Sequence, residues 1–483
     1  MLKKFYQAVP VELFIFLLLM LYVVITPNNS WLTFDNKRIF EVGIIYINLI
    51  ALFNVDFRGR LISHFYFFSP SIRISFIALL LLITLSATYA PLSRSAFLEE
   101  GLYLGLFLIS MTVFSLFLLN KVIFNFLMII SLLVSCIVYQ LNFFMLYFLR
   151  LVYKIPLYFP DLFTGFENIR FFTQYQVWLF FIINYPLFIV NKKYLLLIRL
   201  LKVTSIGWAI LLFYSGSRGS VISILSGLCF SFIFFKSHAL SFIKLNIKFL
   251  IYGMMGALFF FKLLPWYFGI EEISGWRSIN ELLSDTPRLY LLKLSLNYII
   301  THPWLGIGPM HFAYFPNPIS SYYPNPFYAH PHNSVLQYAA ETGLPSALIL
   351  LTITAYGIFL WIKKFKHLDE SSEDRILWVV LFGTICSAFV YSLVDGVVVM
   401  PVSQVLMVIV IGWMFGLYFQ FNTKAGIIKH HGLVLLGSIV LMMTLTYCIL
   451  PSLRPRLLGV NASTREHPKL YDPRFWMQGH IPE

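Results

Sequence analysis

Apolar runs of roughly 18 to 25 residues recur along almost the whole chain, and they constrain the fold more than any other feature. Each is long enough to cross a hydrocarbon core about 30 Å thick as a helix. Inside lipid a helix satisfies its backbone hydrogen bonds within one segment, so a series of such runs makes an all-α polytopic membrane protein. Composition agrees, with 59% of residues hydrophobic and 12% charged, which excludes a soluble enzyme. About thirteen transmembrane helices are expected, near 10–27, 39–55, 73–90, 101–119, 122–149, 171–190, 194–214, 219–235, 248–264, 333–362, 376–394, 402–420 and 433–450.

A formal net charge of +14 would suggest nucleic-acid binding on a soluble chain. Here the basic residues lie between the apolar runs, where they set topology, and no nucleic-acid partner is expected. The short connections on the side of Met1 hold nineteen Lys and Arg against seven on the other side, which places Met1 inside. Lys3 and Lys4 precede the first run and no A-x-A cleavage site follows it, so that run reads as a retained anchor. An odd helix count puts the tail outside, together with one long loop. The chain then divides into an N-terminal transmembrane bundle (1–264), an outer loop (265–331), C-terminal transmembrane helices (332–450) and an outer tail (451–483). Cys136, Cys229, Cys386 and Cys448 lie in apolar stretches without C-x-x-C spacing, which argues against a disulfide framework or a zinc site.

A loop this long among short connections is usually functional. It holds Trp266, Trp276, Arg277, Asp285, Lys293, Trp304 and a stretch rich in Pro, Tyr and Asn from Pro316 to Pro331. Leu289, Leu292, Leu296 and Ile299 recur at helical spacing and predict a short helix from Arg288 that lies in the membrane interface, its other face toward water.

Four arginines fall on the outer side near helix ends: Arg94, Arg170, Arg218 and Arg288. Snorkelling to head groups is one reading of each. Arg218 stands in Tyr214-Ser215-Gly216-Ser217-Arg218-Gly219-Ser220, where a small-residue turn just before a helix suits an anion, because helix N-termini and guanidinium forks both favour phosphate oxygens. The segment His330-Pro331-His332-Asn333 leads from the loop into an apolar helix that should start near His332 or Asn333. Asn333, Gln337 and Glu341 then form a polar stripe on one face. Such a stripe marks a functional site or hydrogen bonds that hold the bundle. His332 sits where the arginines gather, and an imidazole takes a proton from a hydroxyl near neutral pH.

These residues carry a family resemblance. His332-Asn333, nine residues, then Gly343-Leu344-Pro345 resembles the H-[NSQ]-x9-G-x-x-[GTY] signature of the bacterial superfamily of O-antigen ligases, O-antigen polymerases and protein O-oligosaccharyltransferases, with Ser346 departing at the last position. Ser217-Arg218-Gly219 and the Arg288 helix followed by His302-Pro303-Trp304-Leu305-Gly306-Ile307-Gly308-Pro309 are similar as well, and the likeness is best from about 165 to 405. It implies a GT-C-like, metal-independent, inverting glycosyltransferase of the bacterial inner membrane, with no cofactor, that draws on undecaprenyl pyrophosphate-linked glycan at the periplasmic face. By the same resemblance, Arg218 and Arg288 bind the pyrophosphate and His332 activates the acceptor hydroxyl. Arg170 and Asp395 lie in segments similar to those of the protein-glycosylating branch and are secondary candidates with Asn333, Gln337, Glu341 and Arg94; Arg170 also reads as a snorkelling residue and Asp395 as a helix cap.

The absence of a nucleotide-binding loop or D-x-D motif fits a lipid-linked donor. Tyr322, Tyr323, Phe327 and Tyr328 are candidates to stack on sugars, although membrane interfaces use the same aromatics. The leading expectation is transfer to lipid A core. Its rivals are a protein O-oligosaccharyltransferase acting on Ser or Thr of a pilin or another periplasmic protein, an O-antigen polymerase, and, from a different class, a flippase or transporter of lipid-linked glycan. Transporters commonly show paired repeats, and none is visible here.

Overall fold

The computed structural model describes residues 33–270, 272–273, 286–314, 329–368, 374–422, 430–457 and 475. The first expected span, Trp276, Arg277, Asp285, the aromatics of 322–328 and nearly all of the tail lie outside the described residues.

The described chain is helical apart from one parallel pair of two-residue strands, Leu157–Tyr158 and Glu272–Ile273. The α-helices longer than four residues are α1 (Thr33–Ala51), α2 (Val55–Phe65), α3 (Pro70–Tyr89), α4 (Ser93–Leu119), α5 (Lys121–Val152), α6 (Ile169–Leu179), α7 (Leu195–Tyr214), α8 (Arg218–Phe235), α9 (Leu240–Leu258), α10 (Thr286–Thr301), α11 (Ser334–Thr342), α12 (Leu344–Phe365), α13 (Asp374–Ser392), α14 (Pro401–Phe419) and α15 (His431–Leu457). Among the described residues nine helical runs are long and apolar enough to cross a membrane, or ten if α1 and α2, bent by 102°, count as one span.

This polytopic all-α architecture matches the sequence expectation, and where the span numbers differ the causes are local. The expected span 171–190 breaks as an α-helix after Leu179 and goes on as a 3₁₀ turn, Ile182–Asn184, and a four-residue helix that opens on Pro186, where a missing N–H costs nothing. Asn184 reinforces the break by donating to the Phe180 carbonyl (2.9 Å) and to Asn246 Oδ1 (2.7 Å). The expected spans 219–235 and 248–264 fall in one long apolar run, Arg218–Tyr267. The expected 333–362 divides at Gly343 into α11 and α12.

The described chain forms two compact units. The first comprises residues 116–273 and 362–391, and the second comprises 33–115, 286–361 and 392–475. Lipid tails are as apolar as Leu, so helices associate in a membrane through close packing and interhelical hydrogen bonds. The first unit uses both. A Cβ on Gly253 of α9 would stand 2.3 Å from that of Ala209 on α7, which shows how closely the two backbones approach. Gln140 donates from α5 to the Thr204 carbonyl of α7 (3.1 Å), and Gln176 from α6 to that of Trp208 (2.6 Å). In the second unit α10 packs against α11 through Leu291, Tyr298, Ile307, Phe312 and Ala340, with the rings of Tyr298 and Phe312 edge to face at 5.6 Å.

The helix expected from Arg288 is therefore present as α10, with one correction. Leu289, Leu292 and Leu296 are exposed, as an apolar face turned to lipid would be, but the opposite face does not look to water. Leu291, Ser295 and Tyr298 bury it against protein. The helix is apolar on both sides, and its packing partner decides which side faces inward.

Candidate functional site

The nine residues between Asn333 and Gly343 are the whole of α11, so the spacing in the His-Asn-x9-Gly motif is the length of a helix. Asn333 is the N-cap, in extended conformation, and its Oδ1 accepts from the Leu336 N–H at 3.0 Å. Short polar side chains hold this position because they satisfy an N–H that the first turn leaves unpaired. Its Nδ2 donates to the Leu393 carbonyl (3.2 Å), which ties the start of α11 to the segment 393–400.

Gly343 ends α11 at φ +84°, and a Cβ there would lie 2.2 Å from the Trp304 carbonyl oxygen. Both facts require glycine. The segment 303–308 caps the same helix end. Ile307 N–H donates to the Ala340 carbonyl and Gly308 N–H to that of Glu341, both at 2.9 Å, while Leu344 N–H donates to Pro303 (2.8 Å). The backbone of Gly306, at φ +68°, lies so close to Glu341 that a Cβ would stand 2.4 Å from its carbonyl carbon. The Leu305-Gly306-Ile307-Gly308 run is thus a backbone clamp on α11. Ser346 fits the last motif position by donating its buried hydroxyl to the Thr342 carbonyl (2.6 Å).

His332 directly precedes the cap. Its φ of +55° is the left-handed region, which L-residues rarely adopt and which clusters at functional sites. Its N–H donates to His330 Nδ1 (3.2 Å), and the two imidazole rings meet at 4.3 Å. Its Nδ1 lies 3.3 Å from Asp395 Oδ1, which also accepts from the Gly396 N–H (2.8 Å). The carboxylate selects the tautomer with hydrogen on Nδ1, leaving the Nε2 lone pair as the basic site. The His332 side chain is 20% exposed and that of Asp395 only 6%, so a small part of the imidazole stays open while its orienting partner is enclosed.

The expected polar stripe is present and is occupied structurally. Gln337 Nε2 donates to Glu341 Oε2 (3.3 Å), and Glu341 Oε1 accepts from the Phe312 N–H (3.0 Å). Both residues are buried, and Glu341 lies at the end of a nine-residue helix. Burial pushes the Tyr298 phenol up to about 12 and that of Tyr338 above its ordinary range, so neither is a phenolate base near neutral pH. Arg288 is exposed in the first turn of α10. Arg94, at the start of α4, donates to the Cys448 carbonyl (3.0 Å) and lies over the Tyr447 ring at 5.5 Å.

Arg218 and Arg170 belong to the first unit. Arg218 is the exposed first residue of α8, and Ser217 is that helix's N-cap. Arg170 is half-buried in the first turn of α6, its N–H capped by Asn168 Oδ1 (2.9 Å). A chain of hydroxyls joins the two helix starts: Tyr391 bonds Thr173 at 2.6 Å and Ser217 at 3.1 Å.

Sequence reasoning missed His330, Tyr391 and His311. The last is fully buried, with Nδ1 bonded to the Pro309 carbonyl (2.8 Å) and Nε2 accepting from the Leu92 N–H (3.0 Å). The signal for His330 was the His-Pro-His triplet itself; Tyr391 had none.

A family model described as O-antigen ligase matches residues 203–351. That range holds Arg218, Arg288, His332 and α11 and leaves out Arg170 and Asp395. Among curated proteins no match is found. With the motif explained as a capped helix and its clamp, the match over residues 203–351 supports a likeness to the O-antigen ligase-like superfamily for that part of the chain.

Proposed function

We propose that the protein transfers a preassembled glycan from undecaprenyl pyrophosphate to an acceptor hydroxyl at the periplasmic face of the bacterial inner membrane, with lipid A core as the acceptor. His332 Nε2 takes the proton from the acceptor O–H as that oxygen attacks the anomeric carbon. The bond from this carbon to the pyrophosphate oxygen breaks, and the lipid pyrophosphate leaves with the electron pair, giving inversion. Arg218 and Arg288 neutralise the charge that develops on the leaving group, a role for which the planar guanidinium suits diphosphate oxygens. Asp395 holds Nδ1–H and stabilises the imidazolium formed in the transition state, as the carboxylate does in other His-based proton transfers.

The observation that carries this reading is the His332–Asp395 contact at 3.3 Å on a left-handed, half-enclosed histidine at the head of the family motif. Purified protein mixed with lipid-linked glycan and lipid A core should yield glycosylated core. Translocation of the lipid-linked glycan in vesicles without any transferred product would instead support a flippase. Exclusive product on a pilin would support the protein O-oligosaccharyltransferase, and lengthened lipid-linked glycan alone would support the polymerase.

A further inference from the structure

The segment carrying Asp395 is held at its far end by a residue to which the reaction above gives no part. Arg38, in the second turn of α1, is 1% exposed. Its guanidinium spends each nitrogen on an oxygen of the same unit. Nη1 donates to the Glu41 carboxylate and to Gln404 Oε1 (2.6 Å), Nη2 to the Val399 carbonyl (2.7 Å), and Nε to the Phe475 carbonyl (3.0 Å). The ring of Phe475 flanks it at 5.0 Å.

Val399 follows Asp395 by four residues, and the backbone between them is tightly coiled. Val397 N–H donates to the Asp395 carbonyl (3.0 Å) and Val399 N–H to that of Gly396 (3.2 Å). At the other end Asn333, the neighbour of His332, holds the Leu393 carbonyl. The stretch 393–399 is therefore pinned on both sides of Asp395, with little slack to move the carboxylate relative to the imidazole. We propose that Arg38 is a positioning residue for the His332–Asp395 pair, acting through Val399 and Gln404, an inference that rests on the proton-transfer reading above. Stability alone does not account for a buried guanidinium, because well-packed apolar replacements of buried ion pairs are often neutral or stabilising. A planar fork that grips oxygens of three chain segments supplies geometry, which an ammonium cannot reproduce.

The test is a double-mutant cycle in full-length protein, with folding checked by monodispersity and backbone hydrogen exchange. Arg38→Lys should lower kcat about tenfold, the order of coupling seen within one hydrogen-bond network, and leave the donor KM within about twofold. On an Asp395→Asn background the same change should cost less than about twofold, because the pair it positions is already impaired. If Arg38→Lys disturbs folding, Gln404→Ala, which removes one acceptor, is put through the same cycle. Full activity of Arg38→Lys, or an equal loss on both backgrounds, overturns the proposal while leaving His332 as the base. Wild-type turnover by His332→Ala removes the reading beneath it and the proposal with it.

Discussion

Replacing Asp395 with Asn separates the orienting role of the carboxylate from its place in the fold. The side chain is buried, accepts from Gly396 N–H at 2.8 Å and faces His332 Nδ1 at 3.3 Å. Asn is nearly isosteric, and its Oδ1 can keep the Gly396 bond, so the segment 393–399 should hold its shape. What disappears is the negative charge opposite the imidazolium that forms as the acceptor is deprotonated. A hydrogen bond to a charged group contributes about 1.5 to 3 kcal/mol. At about 1.4 kcal/mol per factor of ten, that is a loss of roughly ten- to hundredfold in kcat. The 3.3 Å separation is long for a charge-assisted bond, which favours the lower end. The assay is transfer of glycan from lipid-linked donor to core acceptor at saturating levels of both, with thermal unfolding in parallel. The donor KM should not change, since Asp395 has no part in pyrophosphate binding. Undiminished kcat in a folded Asp395→Asn protein would refute the reasoning, and a raised donor KM at constant kcat would reassign the residue.

Three further outcomes follow from the same geometry. Gly343→Ala places a Cβ 2.2 Å from the Trp304 carbonyl at φ +84°, so it should destabilise the protein by about 1 to 3 kcal/mol, read as a lower unfolding temperature, with transfer lost in proportion. Asn333→Ser should retain the cap and lose the Leu393 bond, whereas Asn333→Ala loses both and should cost about 1 kcal/mol more; hydrogen exchange at Leu336 separates the two. Arg218→Ala should abolish transfer in a folded protein, and Arg288→Lys should raise the donor KM, because an ammonium lacks the fork that suits a diphosphate; wild-type kinetics in either variant would remove that arginine from the donor site.

Much of this was legible in the sequence because it is local. Long apolar runs announce helices, and the start near Asn333 is expected; the sequence runs that helix on to 362, whereas α11 ends at Gly343 and α12 begins anew. What the sequence could not reveal depends on which segments meet. The face of α10 toward Leu291 and Tyr298 is no more apolar than the face through Leu289, Leu292 and Leu296, and only its contact with α11 makes it the inner one. Nothing in the sequence singled out Arg38, whose surroundings emerge only where Glu41, Val399, Gln404 and Phe475 close around it. Asp395 read as a cap or a secondary candidate, and its partner stands 63 residues earlier in the chain. The run 302–309 carried a recognisable pattern without a visible purpose, which emerges as the clamp on the carbonyls of α11.

The most direct measurement is single-turnover glycan transfer by purified His332→Ala, compared with the wild-type protein at saturating donor and acceptor. General-base catalysis contributes about 10²- to 10⁴-fold, so the variant should fold and bind lipid-linked donor normally while its transfer rate falls by that order. Transfer at the wild-type rate would contradict the account at its centre.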